Sequence, residues 1–433
     1  MSVCIDPGLS ESLKSFRPDK GSQLLLVCPY KITTHWLSRA QELPLTAVFY
    51  LTTQGSAIHI LGFVTKAQLQ QKQDASGTLD DFHSLAAEHS APIFDFARAI
   101  PLQTVNIPKP WGQEIWYTGM EDRGVSSVGS NYARAGVQNA SVPLPWLLSM
   151  APEFIHNASE ISLLKILDPD PDPVKGDLYF ELHREKHEVY VVTRVNDKAW
   201  PNGEAGIRLG MNQELRAQYS DDAVFRSAFL DAVQDYRAVR DIIDSQPSFK
   251  TAGENDETEL KLRAHMQSFT AIRPLHMGDA VIVQPDTPHS LLHGVRVVEF
   301  QSPVYERYII SFAQPVLTQN SWDSEAAIAR MRLDTPKAPV FEPVKQSESV
   351  TIDRIASFDE FNVWRMHLLP GGTCQLSPDL PYAICIGLSG ETNMHEQVLQ
   401  AEQACFLPHT ACNNTITNNS KTPSSCLVAA PGL

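Results

Sequence analysis

The spacing of apolar residues changes once along this chain, and that change constrains the fold more than any other feature. Between residues 213 and 246, Phe225, Phe229, Val233, Tyr236 and Ile243 recur at intervals of four, four, three and seven, with no glycine or proline in the stretch. One face of an α-helix has that rhythm. Pro247 is expected to end it, because proline has no amide hydrogen for the helical ladder. Elsewhere the apolar runs are short, rich in β-branched and aromatic residues, and separated by turn formers: 25–31, 45–53, 57–64, 160–168, 178–183, 188–195, 206–212, 280–285, 294–301 and 306–312. The pattern predicts a mainly β chain with one helical excursion. That excursion continues through an acidic loop at 251–259 into a second short helix over 260–269.

At 433 residues the chain exceeds one ordinary core, so two or three domains are expected. A β-rich unit of unassigned role spans 1–103 and includes a more helical patch at 79–90. A second unit spans 104–335 and carries the helical insertion at about 213–269. The polar, proline-rich stretch 316–348 reads as a linker or strap, and 346–433 alternates again as a second small β-barrel.

Composition excludes several classes of function. The net charge of −15 argues against nucleic acid, which needs a basic face to neutralise phosphates. It leaves room for a small anionic substrate held by a few local cations. No apolar run approaches the length of about 18 residues that spans a bilayer, and the first twenty residues lack a basic start followed by an apolar core, so a cytoplasmic protein is expected. Seven cysteines, with no CxxC pair, make a poor disulfide framework and a poor thiolate zinc site. Five of them lie beyond residue 370 among apolar residues and are expected to be buried, reduced thiols.

The densest polar cluster lies in GDLYFELHREKHEVYVV (176–192). Alternate side chains of a strand share a face, so Glu181 and His183 point the same way. Glu188 opens the next strand after a tight connection and can return to that face. About a hundred residues on, His289 follows the turn-forming sequence PDTP. Two imidazoles and two carboxylates suit a divalent ion such as zinc, manganese, iron or nickel, and a barrel interior is where they can converge. Alternation turns His187 and His293 away from this face. Isolated His59, His83 and His89 belong to no cluster, and His395 and His409 give the last unit no ligand set.

These two segments resemble the paired metal-binding motifs of the cupin superfamily, with Gly176, Glu181, His183 and Glu188 in the first and Gly278, Asp279, Pro285 and His289 in the second. Within the cupins the chain is similar to type I phosphomannose isomerases. ELHREK (181–186) parallels their Q-x-H-P-D-K, PDTPHSL their P-G-T-P-H-A, GVRVVEFQ their G-V-x-x-x-E-x-Q, and KPWG (109–112) their K-P-W-G. The resemblance covers roughly 105–433. It implies tandem cupin (jelly-roll) β-barrels, a catalytic one with a helical insertion and a C-terminal one without ligands. It further implies a divalent cofactor (zinc first, manganese or iron as alternatives) held by Glu181, His183, Glu188 and His289, and a sugar or sugar-phosphate substrate. Glu299 is the implied proton carrier, Lys186 and Arg307 are pocket cations, and Trp111 is a substrate-contacting or core residue.

The chain departs from that pattern in four places. Glu181 replaces a glutamine, Arg184 a proline, and Gln284 and Asp286 a proline and a glycine. The compact H-x-x-K-x-E spacing is similar to that of bacterial D-lyxose isomerases. An isomerase of phosphorylated mannose is therefore the first expectation, and an isomerase of a free sugar the second. An iron-dependent dioxygenase and a non-catalytic sugar-binding cupin are readings from other classes. Nothing in the sequence signals an oligomeric state.

Overall fold

A computed structural model of the chain describes residues 23–54, 57–132, 139–150, 155, 161–244, 257–313 and 322–432. Its contacts divide it into two compact units. One comprises Met1–Asn106, Trp116–Lys165 and Phe341–Leu433; the other comprises Ile107–Ile115 and Ile166–Val340. These units cut the chain differently from the expected 1–103, 104–335 and 346–433. Hydrogen bonding explains why: the strand Ile100–Gln103 pairs antiparallel with Ala404–Pro408, so the first and last segments share one sheet.

In the first unit, Gln23–Thr33, Glu42–Gln54 and Ala57–Thr65 form the centre of a five-stranded sheet. The helix Leu79–Glu88 starts at a reciprocal cap between Thr78 and Asp81, and buries Phe82 and Ala86 with Val48 and Phe63 of that sheet. A nine-stranded sheet and a four-stranded sheet hold the C-terminal segment. Their core includes Cys374, Cys385, Cys405, Cys412 and Cys426, all buried free thiols. Burial pushes the Cys412 thiol up to about 12. Cys4 lies outside the described residues.

The second unit is a six-stranded and a five-stranded sheet around a core that runs from Leu167 and Tyr190 to Val297 and Ile310. KPWG opens it. Gly112 has φ +143°, and a Cβ there would lie 2.3 Å from the Asp168 carbonyl oxygen, so only glycine fits. The helical excursion is present but split. Asn212 caps a short helix, Gln213–Arg216, and the long helix starts only at Asp222 and runs to Asp244. The Asp221 carboxylate accepts the amide of Val224 at 2.9 Å, a second start signal that competes with continuous helix from 213. Phe225, Phe229, Val233 and Tyr236 are buried as their spacing predicts. The expected stop at Pro247 lies outside the described residues, as does most of the loop at 251–259. The second helix is Glu257–Ser268.

The stretch read as a linker is not structureless. It contains the helix Ser324–Arg330 and the edge strand Glu342–Gln346. Among the described residues no helix is long and apolar enough to cross a membrane.

Candidate metal centre

The strand Phe180–Leu182 lies between His289–Leu291 and Tyr308–Ser311, with Glu181 directly opposite His289. His183 follows that strand immediately. Glu188 begins the strand Glu188–Val195, opposite Gln301 on one side and Val283 on the other. The turn before His289 closes through a bond from the Thr287 amide to the Gln284 carbonyl at 3.1 Å, with Pro285 and Asp286 at its centre. Asp286 there has φ +62°. Its left-handed backbone is held by Arg330, which contacts both carboxylate oxygens at 2.6 and 3.2 Å. This is how the chain manages without the glycine of the similar motif.

The donor atoms of Glu181, His183 and His289 lie within 4.8 Å of one another. His183 Nε2 is 3.7 Å from Glu181 Oε1 and 3.4 Å from Glu188 Oε1, and His289 Nε2 is 3.3 Å from Glu188 Oε2. Two ligands each about 2.1 Å from one tetrahedral ion stand about 3.4 Å apart. The set therefore fits a divalent cation.

Tautomers sharpen the case. His183 Nδ1 bonds to the Glu306 carbonyl oxygen at 2.8 Å, and His289 Nδ1 to the Thr287 carbonyl oxygen at 3.0 Å. A carbonyl only accepts, so each Nδ1 carries the hydrogen and each Nε2 faces the carboxylates. Burial, reinforced by Lys186, holds the His183 imidazole well below its ordinary pKa, so that ring is neutral. Its Nε2 lone pair is buried beside two carboxylates without a hydrogen-bond partner, as is Glu181 Oε2. Lone pairs converging in a buried space call for a cation between them.

Glu188 is almost fully buried. Burial alone would raise its carboxyl pKa, but Lys186 and both histidines bring it well below the ordinary range. Lys186 Nζ lies 2.6 Å from Oε1, and the Tyr190 hydroxyl donates to Oε2 at 2.7 Å. His289 is shifted the other way: burial opposes its positive charge, but the bond to Glu188 outweighs that and raises its pKa.

The remaining expected residues separate. Glu299 is buried opposite Tyr190 in the strand pair, on the inward face of Val295–Gln301. Arg307 places its guanidinium over the Tyr179 ring at 5.4 Å. Trp111 is a core residue, buried with Leu167 and Tyr179. His293 stacks on Trp200 and bonds to Asp177, away from the site. His59 pairs with Asp95 in the first unit. Two further residues touch this site, Tyr190 and Glu306. Tyr190 was findable, since two residues after Glu188 on a strand it shares the inward face. Nothing in the sequence marks Glu306.

No family model matches the chain, and no curated protein matches it by sequence. Solved structures do. A mannose 6-phosphate isomerase from Bacillus subtilis aligns over 77% of this chain and 99% of its own, at 15% identity and a TM-score of 0.53. The apo form of the mannose 6-phosphate isomerase of Salmonella typhimurium aligns over 78% and 100%, at 13% identity and 0.54. A zinc-bound mannose 6-phosphate isomerase gives 78%, 100%, 14% and 0.55. The chain has the fold of these isomerases.

Within that shared fold the departures acquire physical meaning. The amide hydrogen of Arg184, which a proline would lack, is bonded to the Glu306 carboxylate. Glu181 adds a negative charge in the donor set where the similar motif has a neutral amide.

Proposed function

We propose that this protein is a metal-dependent aldose–ketose isomerase, with mannose 6-phosphate and fructose 6-phosphate as the first substrate pair to test. The supporting observation is the donor cluster of Glu181, His183 and His289, with Glu188 at 3.4 Å from His183 and 3.3 Å from His289 and the carboxylate of Glu299 on the same interior face. Aldose–ketose exchange moves one proton between adjacent carbons and a second between the two oxygens, leaving an enediolate on the way. A divalent cation in this site, with zinc first and manganese or iron as alternatives, would act as a Lewis acid toward those oxygens.

The chain's own groups do the rest. Glu299 takes the proton from one carbon and returns it to the next, as a general base and then a general acid. Lys186 neutralises Glu188, keeping its carboxylate ionised and fixed. Arg307, stacked on Tyr179, offers a guanidinium to a substrate oxygen or phosphate. Purified protein should interconvert the two sugar phosphates, lose activity to a chelator and regain it with added divalent metal. No turnover of any aldose or ketose, phosphorylated or free, would overturn the proposal.

The charge of Glu181 favours testing a second reading, isomerisation of a free sugar. A side-by-side panel of D-lyxose, D-mannose and their phosphates distinguishes the two.

A further inference from the structure

The segment 302–308 joins the strands Val295–Gln301 and Tyr308–Ser311, and it runs alongside the ligand-bearing stretch 183–187. At one end Ser302 and His187 exchange bonds: the His187 amide donates to Ser302 Oγ at 3.1 Å, and the Ser302 amide to the His187 carbonyl at 3.0 Å. At the other end Glu306 meets three consecutive residues. Its carbonyl accepts from His183 Nδ1 at 2.8 Å. Its carboxylate Oε1 accepts the amides of Arg184 and Glu185, the latter at 2.9 Å.

Side-chain burial anchors this turn only at its ends, His183 and Lys186, and not between them. The side chains of Arg184 and Glu185 are 57% and 64% exposed, and their mutual ion pair is long at 3.5 Å. Backbone contacts must therefore hold it, and one carboxylate oxygen takes two adjacent amides. The turn begins at His183 and leads into Lys186, whose Nζ is 2.6 Å from Glu188.

We infer that Glu306 is the positioning residue of the metal centre. Its carbonyl fixes the proton of His183 on Nδ1, leaving Nε2 as the metal donor, and its carboxylate holds the turn that sets the angle of that ring and the reach of Lys186. A carboxylate accepting backbone amides is a charge-assisted bond, and outer partners of this kind orient ligands without touching the ion. The inference rests on the metal reading above and adds a residue that reading does not use.

The test is a zinc titration of chelator-treated full-length protein against a competing chromophoric chelator, for wild type, Glu306→Ala and Glu306→Gln. The alanine variant should bind zinc roughly 10- to 100-fold more weakly, and the glutamine variant, which keeps one acceptor oxygen, should recover most of the loss. The thermal midpoints of the metal-free proteins should stay close together. The visible band of cobalt-loaded protein should shift in the alanine variant and return in the glutamine variant. If the alanine variant does not fold, Glu306→Asp, which withdraws the carboxylate by one methylene, takes its place with the same expected weakening. Zinc affinity within about twofold of wild type would overturn the inference, as would a loss matched by an equal fall in thermal stability. Wild type that binds no zinc overturns the metal reading and this inference with it; zinc-binding wild type beside an unaffected variant overturns the inference alone.

Discussion

Lys186 Nζ and Glu188 Oε1 stand 2.6 Å apart inside the barrel, with their side chains only 9% and 2% exposed. A pair at that depth is worth less than the damage done by removing one partner, because the survivor stays charged and unmatched. Lys186→Met should destabilise the metal-free protein by about 3 kcal/mol. Saturating zinc should recover much of that loss, since a cation would again face Glu188. Chemical denaturation with and without metal checks both halves.

Removing a ligand should be more severe than removing an outer partner. His289→Ala and His183→Ala should each weaken metal binding by more than about 100-fold, beyond the range of outer-sphere changes. Elemental analysis after gel filtration should find wild type loaded and both variants nearly empty. Unchanged occupancy in either would remove that residue from the ligand set.

Acid should release the metal. The folded pKa of His289 is raised by Glu188, so the metal-free site retains a proton there that the ion must displace. Below that pKa affinity should fall about tenfold per pH unit for the one proton released. Isothermal titration in buffers of different ionisation enthalpy counts that proton.

The same two histidines act oppositely on the stability of the metal-free fold. His289, raised, contributes stability that is fully present below its unfolded pKa and is lost as pH rises through its folded value. His183, lowered, stays neutral when folded while the unfolded ring takes a proton, so stability is lost as pH falls below the ordinary histidine range. Chelated wild type should therefore be most stable near the ordinary histidine pKa, with His183→Gln removing the fall on the acid side and His289→Gln the fall on the alkaline side, as denaturation across pH would show.

Asp286 holds a left-handed backbone that glycine would adopt freely, and Arg330 is its compensation. Arg330→Ala should cost about 1 kcal/mol in the wild-type background, a modest value because both side chains are partly exposed. It should cost clearly less in Asp286→Gly. A double-mutant cycle with a coupling of about 0.5–1 kcal/mol would establish the link; additive effects would break it.

Much of this architecture could be read from residue order, for identifiable reasons. Alternation on a short strand predicts one face for Glu181 and His183, since a period of two leaves little freedom in which face a side chain takes; Glu188 and His289 follow from the turns before them, and Glu299 comes from the resemblance alone. The long helix was visible through Phe225, Phe229, Val233 and Tyr236, though not its break at 217–221, where Asp221 and Asn212 compete as caps. Sheet pairing across hundreds of residues was not visible. Nothing local to Ile100–Gln103 states that its partner is Ala404–Pro408. Glu306 and Arg330 are not legible for a related reason: they act on backbone and turn geometry, which periodicity does not encode. Residue order leaves Trp111 open between pocket wall and core, and its burial with Leu167 and Tyr179 places it in the core.

The pairing of Ile100–Gln103 with Ala404–Pro408 also constrains how the protein is made. A ribosome releases the first strand some three hundred residues before the second, so this sheet stays incomplete until translation is nearly finished. The other unit, Ile107–Ile115 with Ile166–Val340, is compact in its own right and has no such wait. Synthesis would thus complete that unit while the sheet of the first still has an exposed strand edge open to mispairing. Chains stalled before residue 400 should be caught by chaperones or aggregate, while the strands and helices described within 166–313 already resist protease.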